Sequence, residues 1–143
     1  MIIVLDTNVI VSGFLSAHHP SGNIVQMVAE GLLKLCYDGR ILMEYREVLL
    51  RQKFGFDFRA VTGFLIQIKA DGILVGPRPP EKSLPDPTDN PFLEAALAGQ
   101  VECLVTGNRK HFPKSHCHGV LVVSPSEFLQ HVGSKKRSGP FKA

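Results

Sequence analysis

The chain has 143 residues, 44% of them apolar, with three cysteines and a formal net charge of +3, which suits one hydrophobic core and is too little for two. Its longest apolar runs, such as Met1 to Leu5 and Val120 to Val123, fall far short of the roughly 18 to 20 residues of a membrane span, and an odd cysteine count cannot close a complete disulfide framework. Lys135-Lys136-Arg137 alone equals the charge surplus, so charge gives only weak support for a polyanionic partner.

Met1 leads directly into Ile2 to Leu5, a strand-like apolar run with no basic lead or cleavage site of a secretory signal, so a cytoplasmic protein with free thiols is expected. Ile24, Val25, Val28, Ala29 and Leu32 follow at helical spacing, then the apolar run Leu33 to Cys36 reads as a second buried strand. Helical spacing returns in Ile41, Leu42, Tyr45, Val48 and Leu49 and again in Phe64, Leu65 and Ile68, before a third buried strand at Ile73 to Val75. Pro77, Pro79, Pro80, Pro85 and Pro87 make Gly76 to Thr88 a stiff loop. A helix from about Asn90 to Ala98 carries Pro91 in its first turn, strands follow at Cys103 to Thr106 and Val120 to Val123, and a last helix spans Ser126 to Val132. One domain over residues 1–132 and a disordered basic tail over 133–143 result. Short apolar strands separated by helices predict an α/β fold: a three-layer α/β/α sandwich around a mostly parallel sheet. In such a sheet, functional groups collect at the carboxyl edge.

Asp6 follows the first strand, in Leu5-Asp6-Thr7-Asn8, and so lies at that edge. Asp86 and Asp89 lie in Leu84-Pro85-Asp86-Pro87-Thr88-Asp89-Asn90-Pro91, and Glu44 lies in the helix after the second strand. Each has an ordinary explanation taken alone. Asp6 and Asp89 are placed to cap helices, and Glu44, like Glu47, suits a solvated helix face. Together they bring carboxylates from three separate elements to one sheet edge. Clustered carboxylates repel, and protonation or a bound cation relieves that repulsion. Oxygen ligands suit Mg²⁺ or Mn²⁺, ions that stabilise phosphoryl charge and help to activate water for phosphodiester hydrolysis. Asn108, in Val105-Thr106-Gly107-Asn108, lies at the same edge, and Arg109 and Lys110 after it are candidates for an RNA backbone. His111, His116, Cys117 and His118 lack paired zinc-ligand spacing and read as surface residues.

The order Asp6-Thr7-Asn8, Glu44-Tyr45, Asp86-Pro87-Thr88-Asp89 with Phe92-Leu93-Glu94-Ala95-Ala96, then Val105-Thr106-Gly107-Asn108 resembles the PIN domain, and most of all its bacterial VapC-like branch of toxin–antitoxin toxins. The likeness runs from Ile2 to about Leu129 and includes Val123-Ser124-Pro125-Ser126-Glu127-Phe128-Leu129. It implies a metal-dependent ribonuclease, with Asp6, Glu44 and Asp89 in the family's first three acidic positions and Asp86 as an additional acid. The fourth falls on Asn108, where many relatives carry Asp, which removes a formal charge from the site. Thr7, Asn8, Thr106 and Asn108 are then supporting residues for metal waters or a substrate phosphate. The resemblance also implies a homodimer and, for a toxin, an antitoxin partner. The expected partner is single-stranded or structured RNA, and a small edge site reaches a flexible single strand more readily than a duplex. The competing classes are a receiver-like phosphoacceptor module, for which the paired acids and the closing Lys are missing, and a catalytically silent PIN-fold RNA-binding module, suggested by Asn108.

Overall fold

The computed structural model describes residues 1–76 and 78–138. Its elements in chain order are β1 (Ile2–Leu5), α1 (Thr7–Leu15), α2 (Pro20–Ala29), β2 (Lys34–Tyr37), α3 (Gly39–Leu49) and α4 (Phe58–Asp71), then β3 (Ile73–Leu74), α5 (Asn90–Gly99), β4 (Cys103–Val105), β5 (Val122–Val123) and α6 (Pro125–Ser138). All five strands are parallel, in the order β3-β2-β1-β4-β5. Six helices accompany this sheet in a three-layer α/β/α sandwich.

Parallel neighbours need long crossovers, which the helices provide. The central strands are apolar throughout because both of their faces are covered: Ile3, Val4, Leu5, Cys103, Leu104 and Val105 are all fully buried. The three cysteines are buried thiols, none of them in a disulfide.

Three features depart from the sequence reading. The run Thr7–Leu15 forms α1, although no helical spacing marked it, because Thr7, Val9 and Ile10 are buried and the helix packs on α2 and α3. At Gly13 an added Cβ would lie 2.4 Å from Val25 Cγ2, and at Gly22 it would lie 2.4 Å from the Ala17 carbonyl oxygen, so α1 and α2 approach through positions that only glycine fills. The third strand is a two-residue edge strand rather than a buried one, with Leu74 67% exposed. The last helix spans Pro125–Ser138 and so ends beyond Val132, where the sequence reading ended it. Residues 139–143 of the expected tail and Pro77 of the proline-rich loop lie outside the described residues.

The strand ends that carry the candidate residues are fixed by backbone hydrogen bonds. The Asp6 amide donates to the Val105 carbonyl at 2.9 Å and the Thr106 amide to the Val123 carbonyl at 3.0 Å, so the ladder continues one residue beyond the strands. Asp6 and Thr106 therefore stand side by side at the carboxyl edge.

Candidate active site and metal centre

Five aspartates precede helical segments, and they divide into two groups. Asp38, Asp57 and Asp86 cap: their carboxylates accept from the amides of Ile41 at 3.0 Å, Arg59 at 3.1 Å and Thr88 at 3.0 Å. Asp6 and Asp89 occupy the same kind of position before α1 and α5, yet neither side chain makes a capping bond. The ordinary explanation of these two residues is therefore absent. Both are largely buried, at 8% and 9% exposure, and both turn into one cleft of about 530 Å³.

Around Asp6 the partners are polar and specific. Thr106, fully buried, donates its hydroxyl to Asp6 Oδ2 at 2.8 Å and accepts the Asn108 amide at 3.0 Å. Glu44 reaches the same cleft from α3, where the Thr7 hydroxyl donates to its Oε2. The next residue, Tyr45, is fully buried and donates its hydroxyl to the Leu5 carbonyl at 2.5 Å, which ties α3 to the end of β1. Arg40, in the first turn of α3, bridges Asp38 at 2.6 Å and Glu94 of α5 at 3.1 Å. These links hold Glu44 and Asp89, carried by different helices, in one arrangement.

At the cleft's other wall, His111 Nδ1 lies 2.9 Å from Asp89 Oδ2. When Asp89 is ionised its carboxylate only accepts, and the proton of this bond then sits on Nδ1. One donor atom each from Asp86, Asp89 and His111 lie within 4.8 Å of one another. His111 had no place in the sequence-derived site. It arrives by a short 3₁₀ turn, Arg109–His111, which folds the chain after β4 back over the cleft, and nothing in local spacing announces that turn.

Electrostatics bear on what the cleft can hold. Burial pushes the Asp6 carboxyl from its ordinary 3.8 to about 6, with the Asp89 and Glu44 charges adding to the rise and the Thr106 hydrogen bond opposing it. Burial also raises Asp89, against the lowering effect of His111, whereas hydrogen bonds from Thr88 lower Asp86. The cleft is lined by four carboxylates and, among the described residues, by no lysine or arginine. Oxygen donors held close together without a cationic side chain fit a hard divalent ion.

The other expected residues are distributed as follows. Thr7 and Asn8 line the cleft, and Asn8 Oδ1 accepts the Gly107 amide at 3.2 Å. Asn108 is not among the lining residues, and its recorded link to the site is its backbone amide on Thr106. Arg109 pairs with Glu127 at 3.1 Å, and with Lys110 it lines a separate groove of about 650 Å³ together with Lys114. His116 bonds Ser115 Oγ at 2.9 Å and Cys117 is buried against the carbonyls of Phe112 and Pro113. Among the described residues, the only three-residue grouping of potential metal donors is that of Asp86, Asp89 and His111.

No curated protein sequence is similar enough to the chain to count as a match. Residues 2–110 match the PIN domain, and this stretch contains the whole acid-lined cleft apart from His111. Spanning most of the chain and joined to a five-stranded parallel sheet, that match settles the classification: the protein belongs to the PIN domain family, whose members are generally nucleases and typically depend on divalent metal.

Proposed function

We propose that the protein is a metal-dependent endoribonuclease that hydrolyses phosphodiester bonds in single-stranded RNA. The observation that carries this reading is the pair Asp6 and Asp89, buried carboxylates at helix starts that decline their capping bonds and face one cleft with Glu44 and Asp86. Asp6 and Asp89 are the principal ligands for Mg²⁺ or Mn²⁺, with Glu44 and Asp86 in support. Bound there, the ion would neutralise the carboxylates and stabilise the charge that builds on the phosphoryl oxygens.

The chain's own groups do the rest. Thr106 fixes one oxygen of Asp6 and leaves the other to the cleft. Thr7 holds Glu44 by one oxygen, so the second can orient the attacking water and accept its proton. His111 positions Asp89. Lys110 and Lys114 line the neighbouring groove with Arg109 and meet the RNA backbone as the strand leaves the cleft.

A VapC-like toxin role, with an antitoxin partner and a homodimer, is the finer assignment and rests on the motif order given above. The buried thiols support a reducing, cytoplasmic setting. No helix among the described residues is long and apolar enough to cross a membrane.

The direct test is cleavage of a mixed RNA pool by purified protein in Mg²⁺, Mn²⁺ or EDTA. Activity is expected with either ion, none in EDTA, and none in Asp6→Asn or Asp89→Asn, each of which substitutes a near-isosteric neutral group for a charged ligand. Cleavage that persists in EDTA, or full activity in both variants, overturns the assignment.

A further inference from the structure

Phe54 is an aromatic residue among the acids. It lies in the segment between α3 and α4, half-buried, and lines the same cleft as Asp6, Glu44 and Asp89. Its ring stacks on Phe56 with centroids 5.2 Å apart and planes 6° from parallel. Phe56 packs at 5.3 Å on Phe14 of α1, and Phe14 meets Phe64 of α4 edge-on at 5.4 Å. Phe54 is thus the outer rung of a four-ring ladder whose inner end is anchored in two helices. Gly55, with φ at +62°, makes the turn between the two stacked rings, in a backbone region glycine enters at low cost.

A ring held this way loses little freedom when it takes up a partner, which is the property of a stacking platform. The Lys53 ammonium lies over the Phe54 ring, 5.1 Å from its centre, on a flexible stem that can swing aside for a base and stay beside the acid-containing cleft. A planar group on the ring with an anion within reach of Lys53 is the chemistry of a nucleotide.

We infer that Phe54 stacks an unpaired nucleobase next to the scissile phosphate, with Lys53 on the adjoining phosphate, and that this contact selects single strands over duplexes. The inference rests on the nuclease reading of the cleft. A duplex buries its base faces in its own stack, so it cannot use the platform. Stacking on aromatic side chains tolerates any base, because every base has a π face.

The chain has two tyrosines and no tryptophan, so Phe54→Trp places a single tryptophan at the platform, which can be excited selectively. A short oligouridylate mixed with this variant in Mn²⁺ should quench its emission immediately, and an abasic strand of equal length should not. In parallel, Phe54→Ala should raise KM for an unpaired RNA about tenfold, the equivalent of 1.4 kcal/mol, and this penalty should disappear on an abasic strand. Phe54→Leu, which keeps the volume and removes the π face, should show the same base-dependent penalty and decides the matter if the tryptophan variant does not fold. Cleavage by the wild-type protein combined with no quench, or with the same response to abasic strand, overturns the platform and leaves the nuclease standing. Absence of any RNA cleavage by the wild-type protein removes the nuclease reading and the platform with it.

Discussion

Thr106 sits between two groups that matter, the Asp6 carboxylate and the Asn108 amide, and its hydroxyl serves both at 2.8 and 3.0 Å. Thr106→Val keeps the shape and removes both bonds. Leaving a part-buried amide and one oxygen of the buried Asp6 without their partner should cost about 1–3 kcal/mol of stability. Losing the group that orients a metal ligand should weaken Mn²⁺ binding on the order of tenfold in titration calorimetry. Asn108→Ala is expected to do neither, because the backbone amide that bonds Thr106 survives the substitution. A large loss of Mn²⁺ affinity in Asn108→Ala would place the Asn108 side chain, rather than its amide, at the metal. In the proposed site a neutral Asn108 leaves four acids, Asp6, Glu44, Asp86 and Asp89, lining the cleft.

On the scale of elements, the site depends on how α3 and α5 are tied to the sheet. Asp6 belongs to a strand end, Glu44 to the second turn of a helix and Asp89 to the start of another, so no local geometry relates them. Tyr45 supplies one connection, since its buried hydroxyl reaches the carbonyl of Leu5, the residue before Asp6. Tyr45→Phe preserves the packing and deletes that bond, at an expected cost of about 1 kcal/mol in urea unfolding. Because the lost bond adjoins both Glu44 and Asp6, cleavage should fall by more than the small loss of folded protein can explain. Activity unchanged in a variant destabilised by that amount would show that α3 holds its place by apolar contacts alone. Burial of Ile41, Tyr45 and Leu49 along one side of α3 is the apolar part of this attachment.

For the molecule as a whole, the cleft sets stability against function. With its folded value raised from 3.8 to about 6, Asp6 favours the native state fully below pH 4, and that contribution disappears as pH rises through 6. Such a rise corresponds to about 3 kcal/mol, and Asp89, raised for the same reason of burial, acts in the same direction. Metal-free protein should therefore lose melting temperature between pH 4 and pH 6.5 more steeply than Asp6→Asn. At pH 7 in EDTA, Asp6→Asn should melt several degrees above the wild-type protein, and addition of Mn²⁺ should reverse the order by stabilising the wild-type protein alone. Equal melting temperatures of the two proteins in EDTA at pH 7 would mean that Asp6 is not held against its own charge.

The fold was legible because its signals are local. Buried strands such as Ile2–Leu5 and Cys103–Val105 are continuous apolar runs, and α3 and α5 show their apolar spacing or an early proline. Asp6, Glu44, Asp86 and Asp89 could be named as candidates because each has a fixed relation to such an element. Local patterns gave out where burial depends on distant partners: α1 is apolar on too many sides to show a helical stripe, and β3 is exposed because its apolar residues form a sheet edge. Capping is the clearest case. Five aspartates look equivalent along the chain, and three of them cap. Asp6 turns instead to a threonine 100 residues away and Asp89 to a histidine 22 residues away, choices that exist only once β1, β4 and the turn after β4 are brought together. Residue type and order determined which groups were available, and tertiary packing decided which of them face one another, because hydrogen bonding and desolvation act over ångströms of space, whatever the separation along the chain.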